Sequence, residues 1–394
     1  MPHRIFTNVL TVSKLKNFIL ALSSIVITSL ASTPQAYAYQ PSHGFLPVEA
    51  SACAAHVPVT LDVPDNALPI PAVSNFSHGF YHIEELNNGL FYITDGVYQI
   101  MMLVSHDGII LVDAPPSIGI NNANPTQSIS LVDVVYSIPQ TQGKAIKKLI
   151  YSHSHLDHIG AASIIVDAFP EVEIIAHRQT NEQIKKGSGT VEGILPGIGS
   201  NPPPLATEVF TKKKKVELGD QVLKLSYKGA THIPGNIYVY APKQKVLLLI
   251  DVIFPGWSPF NNLALANSAR EYLESYDEVL SYDFDTFIGG HVSRVGTRAD
   301  VTEGKMYFQD IQSNALSALK NPANFAIFGI VQNNVLGAFN IYLNEMACDC
   351  ANKTLDANTT PSGKDWRNRL GSADINTLTH CWTIGEAMRI DADF

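Results

Sequence analysis

His153-Ser154-His155-Leu156-Asp157-His158 packs three imidazoles and one carboxylate into six consecutive residues. Neutral imidazole and carboxylate are good ligands for zinc and similar divalent ions. The run 145–151, basic at its start and then apolar, reads as a strand that delivers the chain to His153. The run 160–169 reads as a helix, and 172–176 as a further strand. On a loop after a strand, His153 and His155 point to one side. Asp157 and His158 reach a neighbouring position as the chain turns into helix. The six residues therefore predict two adjacent metal sites, in an α/β arrangement whose strand ends present chemistry on loops.

Upstream, 90–94, 97–104 and 109–112 are short β-like runs punctuated by Gly89, Gly96 and Asp107-Gly108. They predict an antiparallel meander that stops at Asp113-Ala114-Pro115-Pro116. A helix is expected over 128–137. Downstream, 216–218, 221–227, 236–240 and 246–250 read as strands, and 269–280 as a helix. A short strand at 286–288 feeds Gly289-Gly290-His291, and from about 297 the chain reads as mostly helical. The stretch 185–204 holds Gly187, Gly189, Gly193, Gly197, Gly199 and Pro202-Pro203-Pro204. So long an irregular segment reads as a lid or binding loop.

Three later stretches extend the histidine string. Thr231-His232-Ile233-Pro234-Gly235-Asn236 sets a histidine before a Pro-Gly turn, Asp251 follows the apolar run 246–250, and Gly289-Gly290-His291 follows Phe287-Ile288. In this order, over roughly residues 80–295, they resemble the motifs of the metallo-β-lactamase superfamily. The resemblance implies an αββα sandwich, two mixed sheets flanked by helices, with the metals at one sheet edge. It implies that His153, His155 and His232 hold a first metal, that Asp157, His158 and His291 hold a second, and that Asp251 bridges them. Two zinc ions are the expected cofactors, with iron or manganese as alternatives. Asp113 matches a position that supports the histidine loop. His177 matches one that is not a ligand.

Two such cations lower the pKa of a shared water and yield hydroxide at neutral pH, which attacks a carbonyl carbon. Asp157 is expected to orient that nucleophile or shuttle a proton, a general acid-base role. Residue 155 is histidine where oxygen-reducing diiron members have glutamate. Asp251 stands where one large group of β-lactamases has cysteine, and sides with glyoxalase II-type thioesterases and lactonases. The expected activity is hydrolysis of an ester, lactone, thioester or amide bond. β-Lactam hydrolysis and iron-dependent persulfide-type dioxygenation are the alternatives. The apolar run 252–260 puts Trp257 and Phe260 beside Asp251, where they are expected to wall the pocket for a small-molecule substrate with an apolar portion.

The chain has 394 residues, 45% of them hydrophobic and 16% charged, enough apolar material for a large core. A net charge of −9 argues against nucleic acid as a partner. The basic run 212–215 reads as a solvated loop or strand edge. Arg4, Lys14 and Lys16, the apolar run 18–31 and Ala36-Tyr37-Ala38 read as a signal peptide cleaved after Ala38. The apolar run is shorter than the roughly 20 residues of a membrane span. A periplasmic or secreted protein without a stable span is expected. Cys53, Cys348, Cys350 and Cys381 then have structural roles, with Cys348 or Cys350 bridged to Cys381. The expected domains are a signal peptide at 1–38, an extended lead-in at 39–78, the metal-binding domain at 79–296 and a helical extension at 297–394.

Overall fold

The computed structural model describes residues 64–67, 75–187, 203–292, 294–330 and 333–391. Strands β1 (His82–Asn87), β2 (Leu90–Thr94), β3 (Gln99–Val104) and β4 (Ile109–Val112) form the antiparallel meander. β2, β3 and β4 are buried along their whole length. Successive side chains leave a strand on opposite faces, so a fully apolar strand must be covered on both. Met101, Leu103, Ile110 and Val112 enter one core, while Ile100, Met102, Ile109 and Leu111 enter another.

The sheet continues through β5 (Ile146–Ile150), β6 (Glu173–His177) and β7 (Glu208–Phe210), all parallel from β4 onward. A second sheet orders β8 (Lys213–Leu218), β9 (Gln221–Ser226), β10 (Tyr238–Ala241), β11 (Val246–Leu248) and β12 (Thr286–Ile288) in sequence, and only β11 and β12 pair in parallel. Leu223, Leu225, Val239 and Leu248 of this sheet close the core shared with the first. Helices α1 (Leu131–Tyr136), α2 (Leu156–Ile159), α3 (Ala162–Ala168) and α4 (Arg178–Gly187) cover the first sheet's other face, where Val134, Ile159, Ile165 and Ile184 are buried. α1 starts later than the sequence suggests because Ser130 and Asp133 make a reciprocal capping box.

Beyond the second sheet lie α5 (Ala269–Leu280), α6 (Arg298–Leu319), α7 (Val335–Leu355) and α8 (Ala373–Ile390). α6, α7 and α8 pack mutually, and α5 rests on α6 through Tyr272, Tyr276 and Phe308. The result is the αββα sandwich with a helical C-terminal region that the motif order implies. A Cys350–Cys381 disulfide ties α7 to α8 across a sequence separation of 31. Such a loop constrains the unfolded chain by about 3–4 kcal/mol. Cys350, rather than Cys348, is therefore the partner of Cys381. Cys348 is also disulfide-bonded, and no described cysteine is free.

Two short strands, β1 and β7, escape the sequence reading because their alternation is weak or brief. Lys213–Lys215 lie on β8, an edge strand, where charge discourages pairing with other chains. Residues 185–187 end α4 instead of opening the expected loop, and 188–202 lie outside the described residues. So do the segment expected to be a signal peptide, most of the expected lead-in, and Cys53. Among the described residues no helix is long and apolar enough to cross a membrane.

Candidate metal centre

Donors and their support sit where strands end. β5 runs into His153, β11 into Asp251 and β12 into His291, while β4 runs into the supporting residue Asp113. A hydrogen-bond lattice fixes these ends. Asp113 Oδ1 accepts from Ser152 N at 2.7 Å, Ser152 O accepts from Ile237 N at 3.0 Å, and Asn236 Nδ2 donates to Ile250 O at 2.9 Å. Asp113 thus holds the start of the histidine loop and approaches no donor itself. Its complete burial, partly opposed by His158 and Ser152, raises its pKa to about 6.

The lattice brings all seven sequence-selected donors together. His153, His155, His232 and Asp251 form one group and Asp157, His158 and His291 a second, the ligand atoms of each lying within 4.8 Å of one another. Asp251 spans both. Its Oδ2 is 3.5 Å from His153 Nε2 and from His232 Nε2, and 3.1 Å from His158 Nε2, while its Oδ1 is 3.2 Å from His291 Nε2. Asp157 Oδ2 lies 3.6 Å from the Nε2 atoms of His158 and His291. His177 stands apart, its Nε2 bonded to Thr211 O at 2.9 Å and its ring stacked on Tyr227.

This donor set fits a pair of cations. Imidazole nitrogens face each other in two places, His155 Nδ1 with His232 Nε2 at 3.1 Å and His158 Nε2 with His291 Nε2 at 3.2 Å. A cation held at either pair would satisfy two lone pairs at once. Buried His153 Nε2 and Asp251 Oδ1 have no hydrogen-bond partner, although such atoms are normally satisfied. His153 Nδ1 meets Ser152 Oγ at 2.9 Å, which orients the ring and leaves Nε2 for the centre. Burial pushes His153 far below its ordinary pKa and His232 down to about 4, so both imidazoles are neutral and ready to ligate. Burial also disfavours charge on His158, but Asp251 outweighs it and raises His158 to about 9. Burial would raise Asp251, yet His158 and His291 hold its carboxyl well below the usual range. The field that draws a proton to His158 would draw a cation as well, and a bound metal would then displace that proton.

A cavity of about 520 Å³ opens over these groups, with His155, Asp157, His232, Asp251 and His291 at its base. Phe254, Trp257 and Phe260 wall it, so the apolar run after Asp251 faces the site as expected. Sequence reasoning missed Val97, Leu265, Ser372 and Asn376, which also line it. No local motif marks them, and two come from the C-terminal region.

That region also holds the cavity wall in shape. The turn Asn261–Leu265 contains four consecutive left-handed residues, Asn262 to Leu265, with φ of 53°, 56°, 52° and 61°. This conformation costs L-residues roughly 1–2 kcal/mol each. Helix α8 clamps the turn: Thr379 Oγ1 accepts from Asn262 N at 3.1 Å, and His380 Nε2 donates to Phe260 O at 3.2 Å. Tyr307 Oη lies 3.0 Å from His380 Nδ1. Burial lowers the His380 pKa to about 4, against the pull of the Phe260 and Pro259 carbonyls. The unfolded chain therefore takes up this proton first, as pH falls below its ordinary value of about 6.5. The stability His380 confers is complete above that value and declines between pH 6.5 and 4, by about 2–3 kcal/mol. Urea unfolding at pH 7 and pH 4.5 is expected to lose that much more for the wild type than for His380→Gln. Equal losses would show that His380 is not held neutral.

The comparison with known proteins agrees with this architecture. Residues 93–291, half of the chain, match the model of the metallo-beta-lactamase superfamily. The chain belongs to that superfamily. The chain is similar to the 2,4-dinitroanisole O-demethylase subunit alpha of Nocardioides sp. (strain JS1661), at 27% identity over 219 residues. The match covers 55% of this chain and 58% of that protein, so the chain spans less than two thirds of this relative. The solved inverting sec-alkylsulfatase of Pseudomonas sp. shares the fold at 16% identity, with a TM-score of 0.50 over 79% of this chain and 50% of that one. A metallo-beta-lactamase from Pontibacter korlensis aligns at 14% identity and a TM-score of 0.45, over 58% of this chain and 99% of that one.

Proposed function

We propose that this superfamily member is an exported hydrolase with two zinc ions, acting on an ester, lactone, thioester or amide of a small molecule. The observation that carries the reading is the pair of donor groups joined by Asp251 at the base of an apolar cavity. His153, His155 and His232 would hold one ion, Asp157, His158 and His291 the other, with Asp251 between them. Two such ions supply polarisation of the scissile carbonyl and a lowered pKa for water at the site.

The remaining work falls to the protein. Asp157, half-buried at the cavity base, accepts a proton from the attacking water and returns it to the leaving group. Phe254 and Trp257 exclude bulk water and orient the acyl portion. Asp113 keeps the histidine loop in place through Ser152. The Cys350–Cys381 bridge supports export, because disulfides persist in oxidising compartments.

Similarity to the O-demethylase subunit favours a second reading, hydrolysis of an activated aryl methyl ether to the phenol and methanol. One screen tests both. Purified protein is assayed against aryl esters, lactones, thioesters, amides and 2,4-dinitroanisole, beside metal analysis. About two metal equivalents per chain are expected, with turnover abolished by chelation and restored by zinc. Protein that takes up no metal, or turnover indifferent to chelation, would sink the proposal.

A further inference from the structure

The cavity above the donors is charged only at its base. Apart from the donor residues, its described lining is apolar or neutral: Val97, Phe254, Trp257, Phe260, Leu265 and the small polar pair Ser372 and Asn376 are its main side chains. Among the described residues, no lysine or arginine lines it. Val97, Phe260 and Leu265 remain 54%, 58% and 57% exposed, so the apolar surface continues out to the rim. Exposed apolar side chains gathered around a concave site mark a place where an apolar group is received.

The wall is built, not incidental. Asn376 Nδ2 donates to Ser258 Oγ at 3.1 Å, and Ser258 N donates to Gly371 O at 3.0 Å. The Trp257 ring lies on Gly371 so closely that a Cβ there would come within 2.5 Å of it. Trp257 Nε1 is occupied by Ala67 O at 2.6 Å, which turns the indole's polar edge away to the backbone. Asn376 likewise spends an amide hydrogen on Ser258. The Trp257 indole N–H and one Asn376 amide hydrogen are therefore engaged with the protein itself.

An anionic substituent lodged against this wall would lose part of its hydration and meet no lysine or arginine of the described lining, a net penalty. A neutral alkyl or aryl group there loses nothing comparable and gains contact area. We propose that the wall formed by Phe260, Leu265 and α8 selects substrates whose non-reacting portion is uncharged and apolar, and rejects those carrying a carboxylate there. This rests on the hydrolase reading above, and adds to it the chemical class of the part of the substrate that does not react.

The test compares two esters with one leaving group and acyl chains of similar length, 4-nitrophenyl hexanoate and 4-nitrophenyl hydrogen glutarate. The zinc-loaded full chain is expected to prefer the hexanoate by on the order of 100-fold in kcat/KM. Leu265→Arg places a cation at the rim from an already exposed position and should narrow that ratio by about tenfold. Comparable rates for the two esters, or a ratio that Leu265→Arg leaves unmoved, would overturn the inference. Should neither ester turn over, the hydrolase reading falls on its own, and calorimetric titration decides the inference separately. Hexananilide should then bind while glutaranilic acid does not, and equal binding or no binding of the pair would overturn it.

Discussion

Asp251→Ala is expected to lower ester hydrolysis by roughly a thousandfold or more and to strip metal from the protein, while leaving it folded. The Asp251 carboxylate lies within 3.5 Å of two imidazoles in each donor cluster. It lies 3.1 and 3.2 Å from His158 and His291, and 3.5 Å from both His153 and His232. Without it, the first group keeps three imidazoles. The second keeps two imidazoles and Asp157, and the side chains of Asp157 and His291 are 24% and 25% exposed. The second metal should therefore be lost first, giving about one equivalent per chain. Asp251→Cys should recover part of the metal, because thiolate is also a good zinc ligand. Folding persists because the two cores on either face of the first sheet do not include this residue. Metal analysis with steady-state kinetics on the folded variant decides the matter. Unchanged stoichiometry and a near-normal rate would remove Asp251 from the centre.

The seven donors were legible in the sequence because ligand chemistry leaves a local trace. His153 to His158 are contiguous, and His232, Asp251 and His291 each follow an apolar run or precede a Pro-Gly turn. The central strands were legible for a related reason, since β2, β3 and β4 are apolar without interruption and must be covered on both faces. The cavity wall was only half legible. Trp257 and Phe260 follow Asp251 directly, so their place beside it is a matter of chain length. Ser372 and Asn376 arrive from more than a hundred residues away, on a helix whose docking depends on Ser258, Phe260 and the left-handed turn. Nothing near them in sequence announces that contact. The turn itself was unreadable, because Leu263, Ala264 and Leu265 are not residues that choose left-handed backbone, and Asn262 alone tolerates it readily. Contacts with α8, made in the folded chain, stabilise it there.

The glycine pair before His291 makes the second large prediction. β11 and β12 run parallel, with Leu248 opposite Ile288, and their ends carry Asp251 and His291 into the centre side by side. A Cβ on Gly290 would lie 2.2 Å from Asp251 Oδ1, 2.6 Å from Ile250 Cγ2 and 2.8 Å from Asp251 N. Those atoms belong to the Asp251 carboxylate, the fully buried Ile250 side chain and the Asp251 backbone, none of which can simply step aside. Gly290→Ala must therefore rotate the Asp251 carboxylate or push the His291 segment outward by a sizeable part of an ångström. A misplacement of about 1 Å at a reacting centre costs on the order of 100-fold in rate, and that is the fall expected in kcat/KM, with weakened hold on the second metal. Overpacking should also lower stability by about 1–3 kcal/mol. Gly289→Ala separates the two effects. Its Cβ would meet Ile253 O at 2.5 Å and Pro255 at 3.3 Å, on the side away from the carboxylate. It should destabilise the fold comparably and keep more metal at a given stability. If Gly290→Ala holds two metals with a rate within a few-fold of wild type, then Asp251 has room that this geometry denies it, and the carboxylate is not the fixed spacer between the ions.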